Sequence, residues 1–424
     1  MSLFFAKSPK RRLAPMDYIN VFWGINMQIA LEFEHPRYVG QAVEELIQCM
    51  NSFRCQTNLL YISQSNNDPV VEGIPPGLKT LKDVAIWMNK AHMPKRNSLA
   101  TIACDDRRVV VTSSHICNDG MYCIHLIEHI CDPSSYGTWK SPPIPNSIFN
   151  NLRKEIFEHP NTALYCAGDK HICRLLPKLP VAKGKDGKFC LFSFESPLSE
   201  IMGYDPSSGR VKSITEAQWI AQGLSHTVFE NNYDFKDFGI STVLDLRRTL
   251  SREALNDPAW GECIASVPVN AKPTMSMTLE QLGQVMRSNF DARMKNKDYL
   301  SHMRSTWEAI FRPWKNPIPP GIALETSSMG PIHIKPPVVD AWTSLISPDK
   351  NKLDQTSFMT YTLDNQAKNE VNFVGQFQAN SAEFNEKDGE TFLKMLEFSL
   401  KNLNYKMTVK EALDAISNFQ KSCQ

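Results

Sequence analysis

The chain has 424 residues, more than one ordinary core accommodates, so two or three domains' worth of sequence is expected. Its 42% hydrophobic and 21% charged residues exclude a disordered or fibrous protein, and 46 Lys+Arg against 45 Asp+Glu leave no basic field for nucleic acid. No run approaches the ~18 uninterrupted apolar residues of a membrane span, and the N-terminus lacks the apolar core and cleavage site of a secretory signal.

The eleven cysteines, an odd count without a Cys-x-x-Cys pair, read as reduced thiols of a cytoplasmic protein. In chain order, Tyr18 to Leu31 has the mixed hydrophobicity of a strand-like entry. Tyr38 to Met50 places Val39, Ala42, Val43, Leu46, Ile47 and Met50 at helical spacing. Thr57 to Ser63 is β-rich, and Gln64 to Gly77 is polar and rich in turn residues, a loop. Ser98 to Cys104 and Arg108 to His115 flank Asp105-Asp106-Arg107, a hairpin pattern. Helices are predicted over Tyr122 to Ile130 and Ser147 to Phe157.

Residues 177–190 are polar and turn-rich and predict the crossing between halves, dividing the chain at 1–180 and 181–424. Beyond it, strands are predicted over Phe189 to Glu195, Gly239 to Arg247, Cys263 to Val269, Gly321 to Ser328, Phe358 to Thr362 and Glu370 to Ala379. Ser213 or Thr215 caps a helix running to about Phe229. Leu279 to Phe311 reads as one or two surface helices, with amphipathic helices over Thr391 to Leu403 and Val409 to Phe419. No internal repeat or low-complexity segment interrupts this interleaving, which predicts a two-lobed α/β chain.

The chemistry concentrates at Ser113-Ser114-His115-Ile116-Cys117-Asn118-Asp119-Gly120, which follows the buried-strand run Val109-Val110-Val111. A histidine delivered by a strand end suits general-base work because its unperturbed pKa lies near ambient pH. This stretch resembles the His-x-x-x-Asp-Gly signature of acyl-CoA-dependent acyltransferases. That superfamily includes alcohol O-acetyltransferases, peptide-synthetase condensation domains and chloramphenicol acetyltransferase. The resemblance spans nearly the whole chain, and the alcohol acetyltransferase branch is the nearest in pattern.

Five further segments carry it, in the family's order. Arg12-Leu13-Ala14-Pro15-Met16-Asp17 resembles the opening segment, and Ser213-Ile214-Thr215 the start of the helix behind the second lobe. Asp245-Leu246-Arg247 is similar to the strand whose arginine braces the motif aspartate. Trp260-Gly261-Glu262-Cys263 stands at the aromatic-glycine-asparagine turn, with Glu262 replacing asparagine. Thr326-Ser327-Ser328-Met329-Gly330-Pro331-Ile332 looks like the Ser-Asn-x-Gly strand end, again with asparagine replaced, here at Ser328. The plant branch's Asp-Phe-Gly-Trp-Gly is absent, and the motif has a single histidine where many condensation domains have two.

The resemblance implies two chloramphenicol-acetyltransferase-like lobes, each a mixed sheet flanked by helices, with an active-site channel between them. It implies acyl-coenzyme A as co-substrate, a small alcohol or amine acceptor, and no metal. His115 and Asp119 would be the catalytic pair, with Asp119 structural and paired to Arg247, and Gly120 permitting the turn. Ser327, Ser328 and Gly330 would sit at the oxyanion or substrate. The two lost asparagines keep open a catalytically inactive relative, acting as a binding or assembly module.

Other readings are weaker in pattern. His125-Leu126-Ile127-Glu128-His129 matches the zinc-peptidase His-x-x-Glu-His, but no third ligand is assignable. Cys117 and Cys123 read as small buried hydrophobes rather than nucleophiles. The runs Lys10-Arg11-Arg12 and Lys183 to Lys188 would meet a coenzyme A phosphate or simply be solvated.

Overall fold

The structure, a computed structural model, describes residues 9–133, 139, 141–160, 169–176, 188–250, 260–311, 320–348, 355–381 and 384–423. The turn-rich stretch 177–187, with the basic run that begins at Lys183, and Cys166 lie outside them.

The first lobe is built on a five-stranded sheet in the order Val338–Ile346, Asn26–Phe33, Arg108–Ser114, Ala100–Cys104, Val71–Gly73. Neighbours are antiparallel except the outermost pair, Ala100–Cys104 with Val71–Gly73. The valine run explains the central position of Arg108–Ser114. Successive side chains on a strand point to opposite faces, and here both faces are covered. Val109 and Val111 pack with the helices Arg37–Cys49 and Gly120–Cys131, while Val110 packs with Val84 and Met88 of the helix Leu81–Ala91. Each such side chain contributes roughly 1.5–3 kcal/mol on burial.

The second lobe carries a seven-stranded sheet. Its path runs Phe189–Pro197, Glu370–Asn380, Gln355–Asn365, Ile322–Ile334, Gly239–Asp245, Ile264–Asn270, with Arg174–Leu175 pairing at the start of Ile322–Ile334. The two inner pairs, Gly239–Asp245 with Ile322–Ile334 and Ile322–Ile334 with Gln355–Asn365, are parallel. Parallel strands need cover on both faces. One face is closed by Ile214–Glu230, whose side chains from Ala217 to Phe229 are all buried. That helix is fixed by polar contacts as well as packing. Trp219 Nε1 donates to Thr242 Oγ1 at 2.9 Å, and Gln218 and Gln222 donate to Thr360 and Thr326 on the parallel strands. Satisfied bonds of this kind contribute about 1 kcal/mol each, and leaving one unmade costs more.

The strands Ile322–Ile334 and Gln355–Asn365 run through both cores. Ile322, Leu324 and Phe358 belong to the second lobe's cluster, whereas Met329, Ile332, Ile334, Met359, Tyr361 and Leu363 belong to the first's. The pairing slips between Ser328 and Pro331, where Gly330 adopts φ +98°. A short parallel pair, Trp260–Glu262 with Asn146–Ser147, stitches the halves at a second place.

Several elements differ from the sequence reading. Tyr18 to Leu31 divides into the helix Pro15–Trp23 and the strand Asn26–Phe33. Pro15 is pre-set for a first helical turn, Asp17 Oδ2 accepts from the backbone N–H of Ala14 at 2.5 Å, and Gly24 ends the helix at φ 59°. The Gln64 to Gly77 loop contains the short edge strand Val71–Gly73. Of the one or two surface helices expected over Leu279 to Phe311, two form, parted at Lys297, which takes φ 56°. The second is not a surface helix, since Tyr299, Leu300, His302 and Met303 are buried. Among the described residues, no helix is long and apolar enough to cross a membrane.

Candidate active site

His115 sits one residue beyond the strand Arg108–Ser114, its backbone N–H bonded to Ile25 O at 3.0 Å. A turn closed by Cys117 N–H to Ser114 O at 2.9 Å reverses the chain, and Asp119 caps the helix Gly120–Cys131. Asp119 Oδ1 accepts from Tyr122 N–H at 3.0 Å, as a helix N-cap requires. Its Oδ2 accepts from Arg247 Nη1 and from the backbone N–H of Cys263, each at 2.8 Å.

Arg247 completes the lock. Its guanidinium also reaches Asp245 Oδ1 at 3.1 Å, Trp260 O at 2.7 Å and Gly261 O at 3.3 Å. Asp119 is 1% and Arg247 2% exposed. Buried charges persist only when paired and hydrogen-bonded, and both conditions are met here. Two glycines set how closely the parts approach. A Cβ on Gly120 would stand 3.0 Å from Met329 Cγ, and one on Gly261 only 2.3 Å from Cys117 O.

His115 lines a cavity of about 110 Å³ between the two sheets. One wall is apolar (Met16, Ile19, Trp23, Val243, Ile264), and the polar lining includes Ser266, His302, Glu325 and Gln378. Burial lowers the pKa of His115, opposed by the charge of Asp119 and by the carbonyls of His115 and Asn118. The imidazole is therefore neutral near pH 7, the state a general base needs. Its Nδ1 lies 3.7 Å from Glu262 Oε1, which accepts from Asn20 Nδ2 at 2.7 Å. Burial, reinforced by Asp17, pushes the Glu262 carboxyl well above the usual range.

Glu325 and His302 were not singled out in the sequence. Glu325 lies at the cavity on the strand Ile322–Ile334, accepting from Ser266 Oγ at 3.2 Å and Ser241 Oγ at 3.4 Å, and burial raises its carboxyl to about 7. His302 Nδ1 accepts from Ser266 N–H at 3.2 Å, and burial lowers the ring to about 4. The one available sequence signal was Glu325's position two residues before Ser327 on a predicted strand. Helix Asp298–Phe311 gave no hint that His302 faces the site.

The structure thus gathers His115, Asp119, Gly120, Arg247 and Glu262. Ser327, Ser328 and Gly330 do not line the cavity; Ser328 is exposed, and this segment meets the motif through Met329 against Gly120. The paired histidines of His-x-x-Glu-His diverge: His125 Nδ1 stands 3.9 Å from Glu128 Oε2, whereas His129 Nε2 reaches Glu45 Oε1 at 2.8 Å. Burial raises the thiols of Cys117 and Cys123 above their ordinary value, away from nucleophilic thiolate. Arg11 is engaged by Asp17 at 2.5 Å and by Pro145 O at 2.9 Å.

No family model matches this sequence, and no curated protein matches it. Solved structures do match the fold over almost its whole length. Trichothecene 15-O-acetyltransferase from Fusarium sporotrichioides superposes with a TM-score of 0.64 at 13% identity, covering 94% of this chain and 96% of that one. The starter condensation domain of rhizomide synthetase, solved in complex with C8-CoA, gives 0.60 at 11% identity over 94% and 96%. Polyketide synthase associated protein 5 from Mycobacterium tuberculosis gives 0.59 at 10% identity over 97% and 98%. The chain is similar to all three in architecture, and its fold is the two-lobed α/β fold that these acetyltransferase and condensation-domain structures share.

Proposed function

We propose that this chain is an acyl-coenzyme A-dependent acyltransferase that moves an acyl group, acetyl in the first instance, to a small alcohol or amine. The observation that carries this reading is a buried, neutral histidine at a cavity between two lobes, on a turn locked by Asp119 and Arg247. The fold shared with an acetyltransferase and with a condensation domain holding C8-CoA adds to it.

Nδ1 of His115 is turned toward Glu262, which leaves Nε2 for substrate. Nε2 takes the proton of the acceptor O–H or N–H as that atom attacks the thioester carbonyl. The tetrahedral intermediate carries its negative charge on the former carbonyl oxygen, and Ser327, Ser328 and Gly330, which lie outside the cavity, are not assigned to hold it. Collapse breaks the C–S bond, and the imidazolium returns the proton to the coenzyme A thiolate. Asp119, Gly120 and Arg247 hold the histidine rather than react. In this reading 1–180 and 181–424 form the two lobes, the second lending the strand Val338–Ile346 to the first lobe's sheet. A cytoplasmic location accords with the buried thiols at Cys49, Cys55, Cys117, Cys123, Cys131, Cys173 and Cys263.

The test is coenzyme A release from acetyl-coenzyme A with a panel of alcohols and amines, wild type beside His115→Ala. Release by wild type that falls by about 10²–10⁴-fold in the variant supports the reading. An unaltered rate in His115→Ala would overturn the histidine's role. Absence of both release and acetyl-coenzyme A binding would favour a binding module, the reading to which the substituted positions Glu262 and Ser328 lend weight.

A further inference from the structure

His129, freed from the His-x-x-Glu-His pattern, joins a different set of side chains. Glu45 and Cys49 stand four residues apart on the helix Arg37–Cys49, hence on one face. His129 comes from the last turn of the motif helix Gly120–Cys131. Its Nε2 lies 2.8 Å from Glu45 Oε1, and Cys49 Sγ lies 3.4 Å from the same oxygen. The three ligating atoms all fall within 4.8 Å of one another.

We propose that Glu45, Cys49 and His129 form a binding site for a zinc-class divalent ion that clamps the two helices together. Zinc bonds of about 2.0–2.3 Å arranged tetrahedrally place neighbouring ligand atoms roughly 3.3–3.6 Å apart. The Cys49–Glu45 separation of 3.4 Å matches that spacing, and the His129–Glu45 separation of 2.8 Å must widen by about half an ångström. The third pair lies within 4.8 Å, so side-chain movement alone can seat an ion. An imidazole, a thiolate and a carboxylate suit zinc, whereas magnesium and calcium favour all-oxygen sets.

The surroundings hold the ligands in place. The carbonyl oxygen of Cys49 accepts from Tyr122 Oη at 3.2 Å, Trp139 Nε1 at 3.2 Å and Ser141 Oγ at 2.5 Å. The Trp139 ring covers His129 at 5.3 Å between centroids. Cys49 and His129 are buried, while the Glu45 side chain keeps 33% of its surface exposed. Solvent therefore reaches the open fourth position past Glu45. Binding replaces the thiol proton of Cys49, which leaves to buffer, and uses the Nε2 lone pair of a neutral imidazole. This site opens to solvent and is distinct from the cavity of His115, so the ion acts as a brace for the motif helix.

The experiment uses the full chain, stripped of metal under reducing conditions and titrated with cobalt(II) as a spectroscopic stand-in. One equivalent should raise a thiolate-to-cobalt charge-transfer band that zinc displaces and that Cys49→Ser abolishes. Zinc should also raise the Tm of wild type by several degrees, and this rise should vanish in Glu45→Gln and His129→Gln, which keep near-native shape if Cys49→Ser fails to fold. No band in wild type, a band undiminished in Cys49→Ser, or an equal zinc-dependent Tm rise in Glu45→Gln and His129→Gln overturns the proposal. The outcome is independent of any acyl-transfer activity.

Discussion

Gly261 passes so close to Cys117 that a Cβ on the glycine would lie 2.3 Å from the cysteine's carbonyl oxygen and 2.7 Å from its carbonyl carbon. Both obstructing atoms are backbone, so no rotamer change relieves them. This contact brings the turn after His115 against the Trp260–Cys263 segment, and it places Glu262 beside the histidine. Gly261→Ala should lower stability by several kcal/mol, read as a fall in the urea midpoint. Gly40, inside the helix Arg37–Cys49 with nothing within 4 Å of its notional Cβ, is the control. There alanine should stabilise by about 0.5–1 kcal/mol.

Breaking the Asp119–Arg247 pair from either side strands a buried charge. Arg247→Met or Asp119→Asn alone should each cost about 3–5 kcal/mol in chemical denaturation. The double variant should cost less than the sum of the two singles, because it removes both charges together. Strict additivity would show that the pair does not act as one unit.

The pH dependence of kcat/KM should carry two signatures. With His115 as the proposed general base, protonating it as pH falls through its pKa, which burial places below the ordinary 6.5, should make the rate drop. Glu262 acts in the other direction. Its carboxyl is raised, so it stays protonated until well above the usual carboxylate range. Once ionised, it faces Nδ1 across 3.7 Å and favours the imidazolium formed during proton transfer, so the rate should climb again. Glu262→Gln should keep the first inflection and lose the second. A second rise that survives the glutamine variant would exclude Glu262 as its source.

His302 and Glu325 predict opposing effects on stability. The folded pKa of His302, about 4, is below its ordinary 6.5, so the unfolded chain binds more protons and stability is lost as pH falls through that window. The folded pKa of Glu325, about 7, is above its ordinary 4.5, so the folded chain binds more protons and stability is gained as pH falls through that range. The two largely offset between pH 4.5 and 6.5. Thermal scans should show His302→Gln gaining stability on acidification and Glu325→Gln losing it, by up to about 3 kcal/mol each. Parallel behaviour of the two variants would contradict this assignment.

The sequence exposed the motif strand and its turn because Val109 to Val111, the histidine, the aspartate and the glycine are contiguous and chemically distinctive. It also exposed Arg247, Gly261 and Glu262, since each sits in a short recognisable segment. What it concealed lies across long separations. Glu325 is unremarkable within an alternating strand, and its place at the cavity follows from the parallel pairing of Gly239–Asp245 with Ile322–Ile334. The helix Pro15–Trp23 was hidden because a short apolar stretch fits periods of 2 and 3.6 alike, and Pro15 with Asp17 decided between them. The strand Val338–Ile346 was hidden because its partner, Asn26–Phe33, lies some 300 residues earlier. No local pattern announces such a pairing.

The two strands that run through both cores, Ile322–Ile334 and Gln355–Asn365, make each lobe a poor candidate for independent life. A fragment ending before Ile322 would leave the first lobe without Met329, Ile332, Met359 and Tyr361 from its own interior. Such a fragment would present an open apolar face and an unpaired edge along Asn26–Phe33, the conditions for aggregation. Calorimetry on the whole chain should accordingly record one cooperative endotherm, with the halves melting as a single unit.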